Sequence, residues 1–215
     1  MKLLTVKGIP VKLHSSFLAF TVILMLLSGM SGGAGAALHI LGIMTTLLVC
    51  VVLHELGHAL MAQVFGINTQ EIIMTPLGGL ALMEQSLMNT RCEVWVAIAG
   101  PAVNFILAGM TMPLLYVTSS HWLLWFISIN LMLGFFNLVP AFPMDGGRIL
   151  RALLAKKYGY KKGTLKAINI SRVFAYIFIV IGALKAPMLA IIGIFLVIVT
   201  HQQRRILLDL HRRTP

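Results

Sequence analysis

The chain has 215 residues, of which 59% are hydrophobic and only 11% charged, with a formal net charge of +11. That apolar fraction exceeds the level of an ordinary soluble domain and excludes a water-soluble enzyme as the default reading. The positive charge does not indicate nucleic acid, because the basic residues are spread among apolar segments rather than gathered on one face. With two cysteines, Cys50 inside an apolar run and Cys92 in a loop, no disulfide framework is expected.

Lys2, Lys7 and Lys12 precede the first apolar run at 15–31, and with "SGGAGAA" they resemble a secretory signal. Pro10, Lys12 and His14 lengthen the leading region, so the first run is expected to be a retained helix. Further apolar runs fall at 37–63, 94–118, 121–141, 167–184 and 187–203, the last two short. They predict an all-α polytopic membrane protein with six transmembrane helices, forming one membrane-embedded domain over 1–215. Between the second and third runs, "GINTQEIIMTPLGGLALMEQ" places β-branched and apolar residues around the turn signal "TPLGG". It reads as a short hairpin, either on the surface or dipping to membrane depth against protein. After the fourth run, Pro140 and Pro143 force an extended chain, Gly146 and Gly147 are expected to permit a turn, and "RILRALLAKK" follows as an interfacial amphipathic helix. Six crossings with both termini cytoplasmic leave all basic residues except Lys185 on the inner side, facing anionic lipid headgroups.

The chemistry begins in "CVVLHELGHALMAQ", residues 50–63. His54 and His58 are four apart, which puts both imidazoles on one helix face, within reach of one metal ion. Glu55, rotated by about 100°, stands beside that position, free to act on a bound water. No basic residue is near Glu55 in sequence, and an uncompensated carboxylate at membrane depth marks a functional interior. A catalytic zinc keeps three protein ligands and an open position. Cys50, one turn before His54, is a possible third, although it reads better as a small buried residue. Asp145 in "NLVPAFPMDGGRIL" is the stronger candidate, because its helix end and that of His58 share the cytoplasmic half. Glu71, Glu84, Glu93 and Asp209 are expected in solvated loops or the tail. Asn104 in "AGPAVN" lies roughly 15 Å into its helix at 1.5 Å per residue, as helix-packing glue or as a donor to the oxyanion of a tetrahedral intermediate. Asn137 either satisfies freed backbone groups or holds an extended peptide.

Together "HELGH", "GPAVN" and "NLVPAFPMDG", in that order, make the chain resemble the site-2 protease family of intramembrane zinc metalloproteases. "TPLGG" resembles the family's membrane-associated β region. The resemblance covers about residues 37–150 and implies a three-helix catalytic core built from the second to fourth helices. It implies one Zn2+ on His54, His58 and Asp145, with Glu55 as catalytic base and Asn104 assisting catalysis. Asn137, Thr75, Gly78 and Gly79 would bind substrate. The expected reaction is hydrolysis of a peptide bond in or near a transmembrane segment of another protein, in a multi-pass plasma membrane of prokaryotic type. The chain leaves no room for the PDZ or CBS domain that many relatives add. Two rival readings stand beside it, a membrane zinc transporter and an inactive relative that binds membrane substrates without cutting them.

Overall fold

The structure is a computed structural model that describes residues 1–76, 78–83, 89–118 and 120–213. Leu77 of the predicted turn and Glu84 lie outside the described residues. The chain forms two compact units, Met1–Met88 with Ala99–Gly134, and Asn89–Ile98 with Phe135–Pro215.

In the first unit, α1 (Ser15–Val64) contains the first two apolar runs. Its one interior break is Gly33, at φ 72°, a left-handed conformation that a side chain would strain, so the uncharged link between the runs is a single glycine hinge. The predicted hairpin is present as β3 (Thr69–Thr75) and β4 (Gly78–Met83), paired antiparallel. The leading basic segment, read from sequence only as flanking charge, is a second hairpin, β1 (Lys2–Val6) and β2 (Ile9–Leu13). It turns at Lys7 and Gly8, both at positive φ. Strand β2 runs parallel to β3, giving a four-stranded sheet in the order β1-β2-β3-β4. Ile73 is therefore on an interior strand, and among the described residues the open edge on the hairpin side is β4.

One face of this sheet is the core of the unit. Ile9, Val11 and Leu13 of β2 and Ile72 and Met74 of β3 pack on Val52, Leu56 and Ala59 of α1. At about 100° per residue, the His54/His58 stripe is rotated roughly 150° from that packing stripe, with Glu55 between the two. Sheet burial thus fixes the rotation of α1 and turns the histidines away from the strands. Helix α2 (Thr90–Thr111) contains Pro101 and continues into a 3-10 turn at Met112–Tyr116, so the third run is helical as far as Tyr116. Helix α3 spans His121–Asn137.

In the second unit, α4 (Asp145–Tyr158) is the predicted amphipathic helix, followed by α5 (Tyr160–Lys185) and α6 (Pro187–Arg213). The last two runs are short, but each lies in a helix that extends past its apolar stretch into basic sequence to reach 26 and 27 residues. Among the described residues, four helical stretches, Ser15–Val64, Thr90–Tyr116, Tyr160–Lys185 and Pro187–Asp209, are long and apolar enough to cross a membrane, with His121–Asn137 a shorter apolar helix. Glu93 is not a loop residue. It lies in the first turn of α2, 7% exposed, and takes an ion pair from Arg151 of α4. Glu71 likewise sits on β3, paired with Lys12 of β2.

Candidate metal centre

His54 and His58 are 4% and 3% exposed, and their Nε2 atoms converge to 3.1 Å with the rings at 86°. Two ligands on a tetrahedral zinc, each at 2.0–2.1 Å, are separated by about 3.3 Å. The pair therefore has the spacing of one shared metal. Gly100 of α2 faces both rings: a Cβ there would lie 2.8 Å from His54 Nε2, 2.5 Å from His58 Cε1, and against His58 Nε2. The bare α-carbon keeps the space around both nitrogens open. Pro101 and the approach of Ala99 to Gly57, where a Cβ would meet the Ala99 carbonyl oxygen at 2.8 Å, let α2 come this near.

Asn104, fully buried on α2, is bonded at both ends of its amide. Its Oδ1 is 2.5 Å from His54 Nδ1 and its Nδ2 donates to Asn130 Oδ1 of α3 at 2.8 Å. A polar group buried at this depth is costly unless paired, and here every end is paired. Asn130 was not singled out from sequence, where a lone asparagine in "ISINLMLGFF" gives no sign of its partners. Its Nδ2 reaches the Phe126 carbonyl oxygen at 2.9 Å and Cys50 Sγ at 3.2 Å. Cys50 is thus a small buried acceptor against α3.

Glu55 is half-buried beside β4. A Cβ on Gly79 would overlap its side chain, so only a glycine strand lets the carboxylate stand there. Thr75 and Gly78 close the same turn, with Thr75 Oγ1 donating to the Gly78 carbonyl oxygen at 2.9 Å.

Asp145 is the first residue of α4, 6% exposed, with Arg148 3.8 Å away one turn on. Gly146 and Gly147 do not make a turn, as neither is at positive φ and both lie inside the helix. They allow close approach: a Cβ at Gly146 would run into the Leu138 and Val139 carbonyl oxygens, and one at Gly147 would meet the Ala141 backbone at 2.6 Å. Behind this loop, Ser171 Oγ of α5 accepts the Phe142 N–H at 3.1 Å. Asn137 is the last residue of α3 and is half-buried. His54 and His58 belong to the first unit and Asp145, the buried carboxylate at the start of α4, to the second.

The family model for Peptidase family M50 matches residues 42–121 and 112–182. The chain is 41% identical to the zinc metalloprotease MJ0392 of Methanocaldococcus jannaschii over 96% of its own length and 61% of the relative's. It is 34% identical to stage IV sporulation protein FB of Bacillus subtilis over 54% of the chain and 41% of that protein. The chain thus spans about three-fifths or less of the length of these relatives. Its fold matches the site-2 protease from Methanocaldococcus jannaschii with a TM-score of 0.72 and 38% identity, over 94% of each chain. With its motif helix, its buried histidine pair and these matches, the chain belongs to Peptidase family M50.

Proposed function

We propose that this chain is an intramembrane zinc metalloprotease that cuts a peptide bond in or near a transmembrane segment of another membrane protein. The observation that carries the reading is the buried His54/His58 pair at 3.1 Å, with Glu55 one residue on and turned toward the glycine strand β4. His54, His58 and Asp145 would hold one zinc ion, as two imidazoles and a carboxylate are the donor set of an open three-ligand site and the two histidines have the spacing of a shared metal. Bound there, zinc supplies Lewis acidity that polarises the scissile carbonyl and brings the pKa of a water near 7. Glu55 accepts the proton from that water and delivers it to the leaving amine. Asn104 assists by holding His54 through Nδ1, which leaves Nε2 for the metal.

Substrate must unwind before its amide is exposed. The open edge of β4 offers backbone groups for an added strand, with Thr75, Gly78 and Gly79 at the end nearest Glu55 and Asn137 as a further holding group. Adjacent residues of a strand send their N–H groups to opposite sides, so of Leu80→Pro and Ala81→Pro only one removes an outward donor. That variant should lose cleavage with zinc retained, and equal cleavage by both variants and wild type would refute strand addition. The basic run from Lys156 to Lys166 faces anionic headgroups of the cytoplasmic leaflet of a prokaryotic cell membrane, with both termini on that side and the site in that half.

The deciding experiment compares wild type with Glu55→Gln in proteoliposomes. Cleavage of a transmembrane reporter should vanish while bound zinc stays constant. Zinc uptake that persists without any cleavage in wild type would instead make the chain a transporter. Binding of the reporter without cleavage or uptake would make it an inactive relative.

A further inference from the structure

Asn130 lies outside the ligand set and outside the motifs, yet it is completely buried and makes three polar contacts. The direction of each hydrogen bond follows from one fixed end. The Phe126 carbonyl oxygen can only accept, so the atom of Asn130 that faces it at 2.9 Å is the amide nitrogen. Asn130 Oδ1 is thereby turned to Asn104, whose Nδ2 donates to it at 2.8 Å. That leaves Asn104 Oδ1, again only an acceptor, facing His54 Nδ1 at 2.5 Å, so the proton of this contact is on the imidazole. A neutral imidazole protonated at Nδ1 carries its lone pair on Nε2, the atom that faces His58 Nε2.

We infer that Asn130 is a positioning residue for the zinc ligand His54: acting through Asn104, it fixes the imidazole as the Nδ1–H form and aims Nε2 at the metal. The inference rests on the zinc reading given above. Simple adhesion between membrane helices would need an Asn104–Asn130 bond of either sense. The relay needs the sense observed, because reversing Asn130 would present its nitrogen to Asn104, reverse that amide too, and set a donor against His54 Nδ1.

The test uses the full chain in detergent, stripped of metal and titrated with zinc against a chromophoric chelator, with Co(II) as a spectroscopic substitute. Asn130→Leu fills the space but cannot accept from Asn104, whereas Asn130→Asp, as the protonated acid, keeps an oxygen facing Asn104 and an O–H for the Phe126 carbonyl oxygen. Loss of such an outer partner typically weakens metal binding about 10–100-fold. That loss, with a shifted Co(II) d–d band, is expected for Asn130→Leu, while Asn130→Asp should bind and absorb like wild type. Wild-type binding by Asn130→Leu would overturn the inference, as would Asn130→Asp as weak as Asn130→Leu, which would reduce the residue to packing. A wild-type chain that takes up no zinc would overturn the metal reading itself, a separate failure. Independently of any variant folding, 15N spectra of the zinc-loaded wild type should show His54 bound through Nε2 with its proton on Nδ1. Zinc on Nδ1 would refute the relay.

Discussion

Replacing Gly100 by alanine puts one methyl group where the two histidine rings converge. The new Cβ would sit 2.8 Å from His54 Nε2 and 2.5 Å from His58 Cε1, against a comfortable separation of about 3.5 Å. The rings or α2 must then give way by roughly 0.7–1 Å, several times the ±0.2 Å that metal–ligand distances tolerate. At least one histidine is expected to leave the coordination sphere. Apparent zinc affinities of about 10–16 kcal/mol over four ligands assign about 3 kcal/mol to each, so binding should weaken by at least about a hundredfold. Gly109→Ala, in the last turn of the same helix, is the control, because beyond the helix's own backbone no atom lies within 4 Å of the new Cβ. Zinc titration of the detergent-purified chains reads both. Equal zinc affinity for Gly100→Ala and Gly109→Ala would show that Gly100 does not border the metal and refute the geometry.

Gly79→Ala drives a methyl into Glu55 and should lower reporter cleavage about a hundredfold, the scale of an ångström misplacement, with zinc content unchanged. Removing Arg151 leaves Glu93 buried and unpaired, so Arg151→Met should cost about 3 kcal/mol in thermal or denaturant unfolding, while Arg151→Met with Glu93→Leu recovers most of it. Gly146→Ala presses on two backbone carbonyls at the start of α4. It should destabilise by about 1–3 kcal/mol and weaken zinc binding by displacing Asp145, which a titration beside an unfolding curve would separate from general instability.

Much of the helical plan was legible because apolar runs long enough to span a bilayer are written in consecutive residues, and the His54/Glu55/His58 spacing is a property of one helix turn. The β1–β2 hairpin was also written locally, as buried Ile9, Val11 and Leu13 alternate with Pro10 and Lys12 behind a Lys-Gly turn. Lys2, Lys7 and Lys12 carry a second meaning near a membrane, as flanking charge, and that meaning masks the alternation. The pairing of Glu93 with Arg151 and of Asn130 with Asn104 could not be read, since the partners are 58 and 26 residues apart and neither carries a local signature. Gly146 and Gly147 read as a turn in the sequence, but they, like Gly79 and Gly100, are needed as missing side chains at points of contact.

The parallel pairing of β2 with β3 has a consequence for biogenesis. Val11 finds its partner in Ile72, with the whole of α1 lying between them in the chain. At synthesis rates of about 5–20 residues per second, the first hairpin waits roughly 3–12 s for its neighbour to be made. During that interval its hydrogen-bonding edge is unpaired while the motif helix is being inserted. The strand that later lies alongside β3 is thus open to capture by chaperones or by other nascent chains, and the sheet beside Glu55 closes only after the whole of α1 has been made.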